Sequence, residues 1–344
     1  MLNRKTISRV GVLIFSSLIS GAAFADDFYK GRQVTFMVGS GAGSVNDAYA
    51  RLLARHLRRH IPGDPNIIVQ AVPGASGVTA AAQLYNNRPR DGSVISLVQR
   101  TLLLEPLLSD RTYPYDMLQF NWLGSLNRET NVLIVSQESK VKTLEDAKKS
   151  EAVLAAAAPD SDGVLYPKLM NMFLGTKFKV VAGYDGDSKM MLSIERGETE
   201  GRGGVPLGAL KVSSADKLRD GRIKILLQLG LRRDPEISEI PNLLELVSDP
   251  TQKQLLELLF ARQEMGRPLV APPGVPAERV ALLRNSIKAA TSDPEYLADA
   301  ARMKFEVDYL PGEKAQEMLE RLYSMPKPMI EQSKRLIAEA LASK

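Results

Sequence analysis

Between residues 34 and 98 the chain alternates short β-branched runs with amphipathic stretches, and a glycine-bearing turn separates most of them. That rhythm admits few folds. Residues 34–38 read as a buried strand, residues 39–43 as a turn, and residues 45–60 as a helix that stops at Pro62 and Gly63. A second strand is expected at 66–72, a break at Pro73 to Gly77, a helix at 78–85 and a third strand at 94–98. A βαβαβ order of this kind predicts a parallel sheet covered by helices. The middle of the chain repeats the theme. Strands are expected at 132–135, 153–157, 178–181 and 223–229, with helices at 165–174 and 188–196 and a capping-box start at Thr143 to Asp146. After Asp234 and Pro235 the pattern is mostly helical, with one more strand at 268–271. No long flexible linker divides the halves, which predicts two α/β units joined by strands that cross between them.

Composition bounds the function. Arg4, Lys5 and Arg9 precede an apolar run to about Phe24, followed by small residues at Ala23 and Ala25. Basic, apolar, then small is the order of an export signal, and the run is shorter than the roughly 20 residues a bilayer requires. Residues 1–25 are therefore expected to be a signal peptide. The chain has no cysteine, so neither a lipid anchor nor a disulfide is expected, although an exported compartment would permit the latter. Removing the three N-terminal cations lowers the net charge from +5 to +2, too little to imply a nucleic-acid partner. Arg51, Arg55 and Arg58 share one helical face opposite Tyr49, Leu52, Leu53 and Leu57, which reads as a solvated face.

In α/β sheets ligands sit outside the carboxyl ends of strands. Three loops qualify: residues 39–47, 73–77 and 157–163. Each leaves a strand and opens a helix, so free backbone N–H groups and a positive helix end favour an anion, above all a carboxylate. Ser44, Ser76 and Ser161 could add hydroxyl contacts. Asp47, three residues after Ser44, equally fits an ordinary capping box. The first loop lacks the final glycine of G-x-G-x-x-G, and no acid ends the second strand, which argues against a dinucleotide. The two histidines, His56 and His60, lie one turn apart with no acid arranged between them for a metal. With no cysteine and no well-placed histidine, nucleophilic catalysis lacks its base, so no enzyme activity, cofactor or metal is expected. Asp160 and Asp162, or Asp185 and Asp187, could hold a cation, but turn chemistry explains them as well.

At these loops the chain resembles the substrate-binding proteins of tripartite tricarboxylate transporters, also called Bug-type or TctC-like receptors. The resemblance runs through 38–51, 69–77, the Pro89 to Gly92 turn, Lys142 to Leu144, 194–200 and 270–276. It implies a type II periplasmic-binding-protein fold: two α/β domains, 26–127 with 232–344 and 128–231, closing on a ligand in the cleft. It further implies a periplasmic receptor that binds a small mono-, di- or aromatic carboxylate and hands it to membrane permease subunits, as a monomer. Carried over by position, ligand contacts fall on Ser40, Gly41, Ala42, Gly43, Ser44 and Asp47 of the first loop. The second loop contributes Ala75 and Ser76. The third contributes Ala157, Ala158, Pro159, Asp160, Ser161 and Asp162. Tyr184 and Gly204 complete this set, and Arg100 and Arg128 are outside candidates for a direct carboxylate contact. The chain departs from the family pattern at Ala42 and Ser44, at the two acids of the third loop, and at Gly204, where many relatives carry an acid. The alternatives are a sensor that signals to a membrane kinase and an exported hydrolase using Ser44 or Ser161.

Overall fold

The computed structural model describes residues 28–159 and 161–343; the expected signal segment and Asp160 lie outside the described residues. The first unit forms as its pattern requires. β1 (Gln33–Val38), α1 (Val45–Leu57), β2 (Asn66–Ala71), α2 (Val78–Asn87) and β3 (Val94–Leu97) follow in order. β1 pairs in parallel with β2 on one side and β3 on the other. The chain then adds β4 (Asn121–Ser125) and crosses to a second sheet built of β5 (Asn131–Ser136), β6 (Ala152–Ala156), β7 (Phe178–Ala182), β8 (Gly201–Pro206) and β9 (Ile223–Leu229). Helices α3 (Asp162–Leu174) and α4 (Asp187–Glu195) follow β6 and β7. The chain returns through α5 (Pro250–Ala261) to β10 (Pro268–Ala271). α6 (Ala277–Thr291), α7 (Pro294–Arg302), β11 (Leu310–Pro311), α8 (Gly312–Tyr323) and α9 (Lys327–Ala342) complete it.

The first sheet has the order β11-β4-β10-β3-β1-β2 and the second β7-β6-β8-β5-β9. Both are mixed rather than wholly parallel. β10 runs antiparallel to β3 and β4, and β5 runs antiparallel to β8 and β9. The reason is topological. A strand that arrives from the other sheet enters at the end where β1 to β3 finish, so it must run against them. β4 and β8 had no readable strand pattern. β8 reads Gly-Arg-Gly-Gly-Val-Pro, almost without the side chains that mark a strand.

Each sheet is covered on both faces. Consecutive residues Phe36 and Met37 enter opposite cores, one with Leu53, Leu283 and Tyr296, the other with Leu84, Trp122 and Leu319. Leu133, Leu154 and Tyr166 anchor one face of the second sheet, and Val132, Ile134 and Leu210 the other. The expected domain boundary at residue 231 placed all later residues with the first unit. Leu255, Leu256, Leu259 and Ala340 instead fill the core beside Leu133, and α9 packs on α3. Their apolar faces join α3 in covering one face of the second sheet. Arg51, Arg55 and Arg58 do form a solvated face, each paired with an acid: Asp47, Asp299 and Asp64.

Candidate functional site

The crossing segments lie side by side. Leu126 N–H donates to the Arg267 carbonyl (3.1 Å), Glu129 N–H to the Gln263 carbonyl (2.9 Å), and Gly266 N–H to the Asn127 carbonyl (3.0 Å). Around them the carboxyl ends of β6 and β8 face the segment that leaves β3, and a cleft of about 850 Å³ opens between the sheets. Of the residues expected at a site, Ser76, Arg100, Ala157, Ser161, Asp162 and Gly204 line it. Residues 40–44, Asp47, Ala75, Ala158, Pro159 and Tyr184 are not among its lining residues. Arg128 faces a separate hollow, where it pairs with Asp308 (3.3 Å) and Glu264 (3.6 Å).

The first loop is closed on itself. Ser44 caps α1 and its Oγ accepts from Asp47 N–H at 3.2 Å while sharing a hydrogen bond with Ser40 Oγ at 2.7 Å. Asp47 Oδ2 accepts from Gly43 N–H and from Arg51 Nε, both at 2.9 Å. The Arg51 guanidinium holds the Asp47 carboxyl below its ordinary range; burial opposes it and the Gly43 N–H assists it. Asn46 Nδ2 donates to Gln99 Oε1 at 3.0 Å, tying this loop to the end of β3. Ser44 thus caps the helix through Asp47 N–H, while the Asp47 carboxylate bonds back to Gly43 rather than to the Ser44 N–H, so only half of the expected capping box forms.

The second loop is strained. Gly74, Ala75, Ser76 and Gly77 all have positive φ, at 141°, 45°, 52° and 95°. Ala75 and Ser76 each carry a Cβ into the left-handed region, a cost that surrounding structure must hold in place. A Cβ on Gly77 would meet Gln99 Cγ at 2.5 Å, so only glycine allows the loops after β2 and β3 to touch here.

The third loop forms the opposite wall. Ser161 Oγ donates to the Ala158 carbonyl at 2.7 Å, and the Gly183 and Tyr184 N–H groups donate to the Ala156 carbonyl at 3.1 and 3.2 Å. Asp162 is paired with Arg262, which arrives from the end of α5. Burial alone would lower the Arg262 guanidinium; Asp162 and Tyr166 outweigh it and hold it above its ordinary value. The acid that would repel an incoming anion is thus neutralised by a residue a hundred positions away. Gly204, with φ +66°, lies against Asp162: a Cβ there would stand 3.0 Å from the Asp162 carbonyl carbon.

Three arginines that sequence reasoning missed shape this region: Arg202 on β8, Arg262 after α5 and Arg267 before β10. Arg202 lines the cleft and pairs with Asp187 at 2.6 Å. Arg267 and Arg100 both pair with Glu129. Burial would raise the Glu129 carboxyl, but the two guanidinium groups overrule it and keep it below the usual carboxylate range. Nothing in the local sequence marks these arginines. Only their convergence from separate elements does.

The histidines and the second acidic turn have partners of their own. His56 Nε2 meets Asp299 at 2.8 Å, tying α1 to α7, and His60 Nε2, in the turn after α1, meets Asp293, the N-cap of α7, at 2.9 Å. Asp185 pairs with Lys189 at 2.9 Å. Among the described residues no group of three or more metal-ligating side chains occurs, and no helix is long and apolar enough to cross a membrane.

Two mixed α/β sheets, joined by crossing segments with a cleft between strand ends, define a fold of the periplasmic-binding-protein type. A family model described as the tripartite tricarboxylate transporter family receptor matches residues 49–337. The chain belongs to that family of solute-binding receptors. It is 24% identical over 275 residues to a UPF0065 protein of Bordetella bronchiseptica, covering 77% of this chain and 75% of that one. The crystal structure of a TctC solute-binding protein from Polaromonas superposes with a TM-score of 0.69 at 22% identity, covering 90% of this chain and 99% of that one. An R. palustris protein solved with adipate gives 0.59 at 22% identity, covering 90% and 97%.

Proposed function

We propose that this chain is a periplasmic receptor that holds a small organic acid in the cleft between its two sheets and delivers it to membrane permease subunits. The observation that carries the reading is the cleft of about 850 Å³, whose walls carry Arg100, Arg202 and Arg262 at the ends of both sheets. Two of its lining acids, Asp162 and Asp187, are already neutralised by arginine. The adipate held by the R. palustris relative supports a carboxylate as ligand class. We divide the chain into two bodies around the two sheets, with α5 and α9 assigned to the second, and infer closure about the crossing residues 126–130 and 262–267 and the link at 324–326.

Binding without turnover is the expected behaviour. The hydroxyl of Ser44 is engaged with Ser40 and Asp47, and that of Ser161 with the Ala158 carbonyl, while His56 and His60 bond to Asp299 and Asp293. Thermal-shift measurements against mono-, di- and aromatic acids test the reading. An acid at a hundred times its Kd should stabilise the protein by about 2.7 kcal/mol. Shifts with sugars or esters but with no acid would overturn the carboxylate assignment, and turnover of a hit would overturn the receptor.

A further inference from the structure

The two arginines on the second-sheet side of the cleft are held in different ways. Arg262 has an acid that is itself mostly buried, Asp162, with the Tyr166 hydroxyl 3.4 Å away. Arg202 does not. Its side chain is 8% exposed and its Nε, like that of Arg262, is buried with no hydrogen-bond partner among the described residues, but its one acid is not itself buried. A guanidinium offers five N–H donors. Arg202 commits one of them, to Asp187 Oδ1 at 2.6 Å. Asp187 stands in the first turn of α4 with its side chain 63% exposed.

This pairing is asymmetric in energy. Hydration competes for a carboxylate in solvent, so the pair itself is held weakly. The buried Nε meanwhile has no acceptor, which is unfavourable until one reaches it. β8 continues from Arg202 as Gly203 and Gly204, and Gly163 stands in the first turn of α3 across from them; all three line the same cleft as Arg202.

We propose that Arg202 is the specificity-determining anchor of the cleft, and that the carboxylate of a bound organic acid replaces Asp187 on its guanidinium. Asp187 is a placeholder that keeps the buried charge countered while the cleft is empty and turns to solvent when the ligand arrives. The inference rests on the organic-acid reading above. It adds a chemical selection: a carboxylate is taken, and the amide of the same acid is refused. A planar guanidinium pairs strongly only with the charged, two-oxygen group.

Calorimetric titration of the wild type with succinate, adipate and benzoate, each beside its amide, identifies the tightest acid. That acid and its amide are then titrated into Arg202→Gln and Asp187→Asn. Arg202→Gln should weaken the acid by roughly ten- to a hundredfold and leave the amide unchanged. Asp187→Asn should tighten the acid by about two- to fivefold, because the competing carboxylate is gone. An unaltered acid-to-amide ratio in Arg202→Gln overturns the proposal, as does unchanged or weaker acid binding in Asp187→Asn. The second variant decides alone if the first does not fold. A wild type that binds none of the acids defeats the organic-acid reading itself, which is a separate outcome.

Discussion

The loops after β1 and β6 are written in nearly the same local code, and they end up in different situations. Both leave a buried strand, place a serine at the helix N-terminus and put an aspartate in the first turn. In the first loop the aspartate is answered from within the helix, by Arg51 one turn later and by Gly43 just before. Its polar groups satisfy one another, and residues 40–44 are not among those lining the cleft. In the third loop the aspartate has no local partner. Its counter-charge is Arg262, carried in on a helix from the other crossing of the chain, and its first turn lines the cleft. The difference teaches that an acid next to a helix start says little about function until the source of its counter-charge is known.

Breaking the long-range pair should produce the largest effect. Arg262→Ala leaves Asp162, 22% exposed, without its cation, and should lower stability by about 3 kcal/mol in urea unfolding. Adding Asp162→Asn should recover much of that loss. If Arg262→Ala costs no more than a surface pair, the third loop does not depend on distant charge and the contrast collapses.

Gly204→Ala comes next. Its positive φ and the nearness of Asp162 predict a loss of about 1–3 kcal/mol. A change that leaves both melting temperature and acid binding untouched would show that β8 and α3 are free to separate.

On the other side of the comparison, Asp47→Asn should cost about 1–2 kcal/mol, since it weakens two hydrogen bonds to a charged acceptor. Its pH signature has a fixed sign. The folded-state pKa of Asp47 is depressed, so its stabilisation is complete above the ordinary carboxylate range, near about pH 4, and fades as pH falls through the folded value. Melting temperature measured from neutral pH downward should therefore drop less steeply for Asp47→Asn than for the wild type. The smallest effect is expected from Ser44→Ala, about 1 kcal/mol for a lost N-cap, with ligand affinity unchanged. A large loss of affinity in that variant would move the first loop back into the site.

Much of the fold was legible because the relevant signals are local. β9 and β10 begin and end where their apolar runs do, and Thr143 with Asp146 forms the capping box that its spacing announced. β8 was not legible. Three glycines in six residues carry no burial pattern, yet Gly203 and Gly204 permit α3 to lie close to the strand and Gly201 permits the close approach of β5 at the Ile134 carbonyl. α9 was legible as a helix but not as a cover for the second sheet, since an amphipathic face does not name the surface it will meet. Of the expected site, Ser76, Arg100, Ala157, Ser161, Asp162 and Gly204 converge on one cleft, whereas Arg202 and Arg262 were invisible beforehand.

The sequence by itself determined two α/β units with ligand-accessible turns at strand ends, because hydrophobic period and turn chemistry act over a few residues. Tertiary structure alone decided which of three similar loops face the cleft and which acids there are cancelled. Those outcomes depend on charges brought together across about a hundred residues, and no local pattern in the chain records such an encounter.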